Sequence, residues 1–235
     1  MYQEKDPEGG RMKNLRKVQM SDSMTLAVLL TLAGGLQDAY SYNCRGHVFA
    51  NAQTGNVVLL GQNLAMGEWG SAVHYLMPLL AFIGGVYVVE RIHYCCKQFQ
   101  RLHWRQIVLL TELLFLVVVG LMPERWDMFA NMFLSFSCAM QVNAFRKFRG
   151  MPSATTMCIG NMRSATELLC RYHITGNAKE RQASIYYYTI IGIFALGAAV
   201  GAVLCRIMGR YTIWVAAGLM TVGFLMMFIK KEEAV

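Results

Sequence analysis

The sequence predicts an all-α, polytopic membrane protein: six transmembrane helices in two inverted three-helix repeats, each with a broken first helix. Three observations lead there. The 235 residues are 55% hydrophobic and only 15% charged, whereas soluble domains carry about a quarter charged residues. Long apolar windows alternate with short, mostly basic ones, the pattern of a chain that crosses a bilayer repeatedly. A polar stretch inside the first apolar region, "AGGLQDAYSYNCRGHVFANAQTGN", also has a partial copy about a hundred residues later.

Residues 1–23 are polar and basic and read as a disordered cytoplasmic tail without a secretory signal. Ser21, Asp22 and Ser23 are candidate N-caps for the first helix. The expected spans are 24–43, 73–93, 106–122, 127–145, 184–205 and 211–229. Each has about the length needed to cross ~30 Å of hydrocarbon. They group into a first repeat over 24–122 and a second over 127–229, within one membrane domain. A soluble helix needs a polar face, and Ile107 to Met122 has almost none.

Two short apolar pieces, 54–66 and 157–170, follow spans 1 and 4. Gly46, Asn51 and Gly55 interrupt the first region. A continuous helix over 25–66 would be about 63 Å long, so the chain must turn. The short pieces are re-entrant, interfacial or spanning. Charge separates six crossings from eight. With six, and both termini cytoplasmic, 18 of the 22 Lys and Arg lie inside, in the sense that sets membrane orientation. Only Arg45, Arg125, Arg206 and Arg210 lie outside. The formal net charge of +8 therefore reads as orientation, and nucleic acid is not an expected partner.

The seven Cys include no C-x-x-C pair, so neither a disulfide framework nor a zinc site is read. No nucleophile-and-base set and no H-E-x-x-H is present. No cofactor, no metal and no enzymatic activity is expected.

The internal copy pairs Gln37 with Gln141, Arg45 with Arg149, Gly46 with Gly150 and Ala50 with Ala154. After one inserted residue it pairs Gly55 with Gly160 and Asn56 with Asn161. Three crossings per half invert the second copy, an arrangement that recurs in transporters and places sites at interrupted helices. The elements "GGLQDAYSY…GHVFANAQTGNVVLLG" and "QVNAFRKFRG…CIGN" resemble the YoaK-like family of bacterial membrane proteins. The resemblance spans nearly the whole chain and is most specific at Gln37-Asp38-Ala39 and Thr54-Gly55-Asn56. It implies six helices and a bacterial cytoplasmic (plasma) membrane location, but no activity. The second half departs from the pattern, with Gln141-Val142-Asn143-Ala144 and with Ile159 where Thr would mirror Thr54.

Asp38 is the sharpest residue. It lies about 21 Å along the first span, and an ionisable group there suggests a solute or proton path. The alternative is an interfacial cap for the next helical piece. Gly34 and Gly35, on the Asp38 face, would admit a second helix closely. The expected pathway residues are Gln37, Asp38, Asn43, Thr54, Gly55 and Asn56 from the first half. Gln141, Asn143, Gly160, Asn161, Arg163 and Glu167 complete the set from the second. Arg163 and Glu167 can also pair at i, i+4 on an amphipathic surface helix. Glu112 reads as an acid near the inner end of span 3 that snorkels or pairs with Arg105.

The expected function is a small-solute transporter or permease in the lipid bilayer, its site at the two broken helices, its solute small and polar or cationic. A passive channel, a lipid-handling protein and a non-transporting partner subunit are the alternatives. Gly197 and Gly201 form a G-x-x-x-G pair in span 5, which suggests a homodimer or a contact within one chain.

Overall fold

The computed structural model describes residues 15–16, 23–96, 104–148, 151–152, 155–228 and 233–234. Most of the predicted tail lies outside these, as do Lys97, Arg101, His103, Arg149, Gly150 and Ala154. Among the described residues there are eight α-helices: α1 (Met24–Cys44), α2 (Gln53–Ala65), α3 (Trp69–Cys96), α4 (Trp104–Leu121), α5 (Asp127–Ala144), α6 (Cys158–Thr175), α7 (Ala178–Met208) and α8 (Ile213–Met226). Short 3-10 turns at Glu124–Trp126 and Gly209–Thr212 lead into α5 and α8. Two antiparallel pairs of two residues each complete the description, Leu15–Arg16 with Glu233–Ala234 and Lys147–Phe148 with Met151–Pro152.

Helix boundaries have local causes. Ser23 caps α1 by accepting from Leu26 N at 3.2 Å, and the other two candidate caps lie outside the described residues. Gly46 (φ 78°) and His47 (φ 59°) then take successive left-handed conformations and reverse the chain. Gly176 (φ 69°) closes α6 with its N–H on Tyr172 O at 2.8 Å, a left-handed helix stop. Asn177 opens α7 by accepting from Lys179 N at 3.1 Å.

Three stretches are long and apolar enough to cross a membrane: Trp69–Cys95, Trp104–Leu121 and Ala178–Met226, the last holding both α7 and α8. They make this a membrane protein. Helices α1 and α5 occupy the positions of expected spans 1 and 4. Their buried sides carry Gln37, Asp38, Asn131 and Gln141, which lowers their apolar content. Helix α2, with 13 residues, reaches only about 20 Å. Helix α6 has 18 residues but carries Arg163, Glu167 and Arg171 and is not among the three stretches.

The helices pack in matched pairs. In the first half α2 lies on α3, and α1 packs on α7 and α8; in the second α6 lies on α7, and α5 packs on α3 and α4. Helix α4 meets α8. Leu30, Leu109, Leu134, Ile190 and Met220 form part of a continuous apolar core across α1, α4, α5, α7 and α8.

The closest crossings depend on glycine. A Cβ on Gly35 would overlap the carbonyl oxygen of Phe194 in α7, and one on Gly197 would overlap that of Leu32 in α1. Gly201 faces Leu36, and Gly85 of α3 sits against the Phe136 carbonyl of α5. The expected close helix approach at Gly34–Gly35 is thus made by α7. The G-x-x-x-G pair packs against α1, the within-chain contact of the two expected.

Gly35→Val and Gly197→Val should each lower the melting temperature in detergent, by overpacking of about 1–3 kcal/mol or more. Gly192→Ala, with open space around its Cβ position, should leave it unchanged.

Candidate functional site

After α1 the chain turns at Gly46–His47 and runs back along the helix it has just left. Asn51 N donates to Asp38 Oδ1 at 2.7 Å, and Asn51 Nδ2 donates to Gly34 O at 2.9 Å. Ala50 N donates to Ser41 Oγ at 3.1 Å, and Ser41 Oγ donates to Asp38 O at 3.1 Å. Residue 51 therefore lies beside residues 34–38, about 10–15 Å back from the end of α1 at 1.5 Å per residue. Asp38 is 7% exposed and Asn51 4%. The carboxylate closes the loop as a hydrogen-bond acceptor for its backbone. Asn51 Oδ1 is buried and has no hydrogen-bond partner.

Asn56, in the first turn of α2, grips the same loop. Its Nδ2 donates to Phe49 O at 2.7 Å and its Oδ1 accepts from Phe49 N at 3.1 Å. A side-chain amide thus pairs with a backbone residue as a neighbouring strand would. Gly55 lies against the Phe49 ring, where a Cβ would come within 3.0 Å of Cδ2. Gln53 ties the start of α2 to α5 through Ser135 Oγ at 3.2 Å.

The segment after α5 behaves similarly. Gln141 Nε2 donates to Thr155 Oγ1 at 2.9 Å, and Cys138 Sγ lies 3.9 Å from Thr156 Oγ1. Thr155 and Thr156 are buried beside the helix that precedes them. Thr156 also reaches α1: a Cβ on Gly34 would lie 2.7 Å from Thr156 Cγ2 and 3.6 Å from its Cβ. Gly34 is therefore touched by Asn51 from one loop and Thr156 from the other. Gln141 Nε2 contacts Leu30 O of α1 at 3.4 Å, one turn below.

A cation anchors the far end of α1. Arg45 is fully buried. Its Nη1 donates to Asp127 Oδ1 at 2.8 Å, and its Nη2 to the carbonyls of Val119 and Met122 at 2.8 and 2.9 Å. Its Nε donates to Tyr40 Oη at 2.7 Å. Asn131 Nδ2 caps the Arg45 carbonyl at 2.6 Å. One guanidinium fork thus joins the end of α1 to the α4–α5 connection, geometry that the ammonium of Lys lacks.

Of the expected residues, Asp38, Asn56 and Gln141 take part in the two folded-back segments, with Gly55 packed beside them. Asn161 is buried at the start of α6. Gln37 points to another side of α1, with Nε2 3.6 Å from Met220 Sδ. Asn43 bonds its own helix at Ala39 O, 2.7 Å, and Thr54 is exposed. Asn143 donates to Glu90 Oε1 at 2.8 Å and lines a separate cleft of about 310 Å³ with His93, Trp104, Arg105 and Arg146. Gly160, Arg163 and Glu167 are exposed on α6. Arg163 pairs with Glu167 at 2.8 Å and holds its carboxyl below the usual range, the surface-helix alternative. Sequence reasoning missed Asn51, Thr155 and Thr156 as contacts, and Arg45 as an anchor. The Arg45–Arg149 match was the available signal for the last.

The fold and this centre define a class: a helical membrane protein in which two polar segments, one after α1 and one after α5, fold back and meet α1 at Gly34. The chain belongs to the family described as "Protein of unknown function (DUF1275)", whose model matches residues 26–226. A stretch of 64 residues is 39% identical to the UPF0700 transmembrane protein YoaK of Bacillus subtilis (strain 168). That match covers 27% of this chain and 28% of YoaK. No solved structure matches the chain.

Arg45→Met should cost about 1–3 kcal/mol, the penalty for buried acceptors that lose their donor, here the Val119 and Met122 carbonyls, read as a lower melting temperature. Arg45→Lys should restore only part of it. Arg163→Ala, on the exposed α6 pair, should leave the melting temperature unchanged.

Proposed function

We propose that the protein is a small-solute permease of the bacterial cytoplasmic membrane, with its solute path at the two folded-back segments. The observation that carries this reading is the meeting at Gly34. Asn51 of the first segment and Thr156 of the second touch one glycine of α1. The buried Asp38 carboxylate lies one helical turn away. Non-helical backbone at such depth is tolerated only where protein or a cavity satisfies it, and in transporters such breaks hold the solute. Asp38 is the coupling group. It releases Asn51 N when protonated, loosens residues 48–52 from α1 and admits a small polar or cationic solute.

We read the membrane domain as six crossings, with both termini cytoplasmic and two halves related by inversion. The matched pairings support this: exchanging α1 with α5, α2 with α6, α3 with α7 and α4 with α8 turns each principal packing contact into another. Helices α2 and α6 then flank the bundle without crossing.

Two measurements test the reading. In proteoliposomes containing pyranine, a panel of small polar amines and amides should evoke proton flux under an imposed pH gradient. Asp38→Asn should abolish that flux while the protein stays monodisperse. Flux unaffected by Asp38→Asn, or none for any panel member, contradicts the permease. For topology, single cysteines at Arg125→Cys and Lys97→Cys, in a background lacking exposed native cysteines, should be labelled by an impermeant maleimide from outside and only after lysis, respectively. The reverse pattern overturns the orientation.

A further inference from the structure

Glu112 belongs to neither folded-back segment. It lies in the middle of α4 and is fully buried, which corrects the expectation of a snorkelling acid near the inner surface. Neither carboxylate oxygen has a hydrogen-bond partner, and among the described residues no ion pair reaches it. Two other helices bring polar side chains toward it: Ser137 of α5 and Gln37 of α1. Ser137 Oγ and Gln37 Oε1 are likewise buried without a hydrogen-bond partner. Gln37 Nε2 also lies 3.6 Å from Met220 Sδ on α8, so this amide sits between α8 and the Glu112 side of α4. Side chains from three helices thus share one interior region, and among the described residues no basic group forms an ion pair with the carboxylate.

An uncompensated carboxylate in such surroundings is too costly to persist; it takes up a counter-charge or a proton. Carboxylate, hydroxyl and amide oxygens are hard donors suited to a hard cation. Cys138, next to Ser137 on α5, lies within electrostatic reach of both Glu112 and Asp38. We propose that Glu112, with Gln37 Oε1 and Ser137 Oγ, forms a binding site for a small monovalent cation, either a proton or a sodium ion, in the core of the bundle. The site goes beyond the permease reading, in which Asp38 is the coupling group: it adds a second ion-binding acid in the bundle core, and binding at Glu112 does not require transport.

The test uses the full chain in detergent at constant ionic strength, with choline replacing sodium. If sodium is the ligand, the melting temperature should rise by about 5–10 °C at a hundredfold excess over its Kd, and Glu112→Gln should remove the rise. If a proton is the ligand, sodium should do nothing. Stability should instead fall as pH rises from 5 to 8, because the unfolded chain gives up a proton that the folded chain retains. Glu112→Gln should remove the part of that slope that persists in Asp38→Asn. Asp38 and Cys138 are the other titratable groups facing this region, so Asp38→Asn and Cys138→Ser serve as controls that should keep the Glu112-dependent part.

A hydrophobic carbodiimide gives a second readout on the unmodified protein, in case Glu112→Gln fails to fold. It should label Glu112, identified by peptide mass, with protection by sodium in the first case and by raised pH in the second. No sodium or pH dependence that tracks Glu112, together with no labelling, overturns the site. Failure of the permease reading would look different: no Asp38-dependent flux, with the Glu112 responses intact.

Discussion

Irregular backbone can enter a membrane bundle only if the protein itself supplies the hydrogen bonds that water would have made. The segment from Arg45 to Ala52 meets that constraint with the polar residues that look out of place in the sequence. Asp38 takes Asn51 N, Ser41 takes Ala50 N, and Asn56 takes both polar groups of Phe49. Arg45 fixes the point from which the segment departs, by saturating two carbonyls and one carboxylate at the α4–α5 connection. Without these partners the loop would be expelled and α2 would lose its starting position.

The same residues suggest why the arrangement could be switched. Most contacts that hold the helices together are apolar or glycine-mediated and do not titrate. The first segment, by contrast, hangs on a short list of hydrogen bonds, one of them to an ionisable acceptor. A change of charge at Asp38 would weaken the loop while leaving the α1–α7 and α3–α5 crossings, with Gly35, Gly197 and Gly85 at their contacts, intact.

Much of this was legible in the sequence. Hydropathy located the long helices to within about four residues of their ends, because helices in lipid must be apolar over a bilayer's thickness; the exception is the polar first turns of α7, which begins at Ala178 and not at 184. Gly46 and Asn51 announced the break and Asp38 its chemistry, whereas Gly55 lies inside α2 and Gln37 faces away from the loop. The contacts that make the site were harder to read. Thr156 meets Gly34 across more than a hundred residues, and no local pattern encodes that. Periodicity placed Gln37 and Asp38 on different faces but could not say that the Gln37 face meets Glu112 and Met220. The repeat carried backbone position better than side-chain role. Asn56 and Asn161 are both buried, yet Arg163 and Glu167 stand in the exposed stretch of α6, because the second short helix kept its place while taking on charge. Asn143 failed for a related reason: two residues beyond Gln141, it has rotated off the α1-facing side of α5 and reaches Glu90 instead.

The central claim is that the two polar segments meet on α1 at Gly34, and one double substitution tests it most directly. A Cβ at Gly34 would lie 3.6 Å from the Thr156 Cβ, within the ~3.5–4.5 Å that a disulfide spans. In a chain with Cys138→Ala, which removes the neighbouring thiol, Gly34→Cys and Thr156→Cys should join under mild oxidation. Non-reducing mass spectrometry would then find their two peptides linked. Two cysteines that stay reduced and react separately with a small alkylating reagent, under conditions where the protein remains folded, would show that the segments do not meet there.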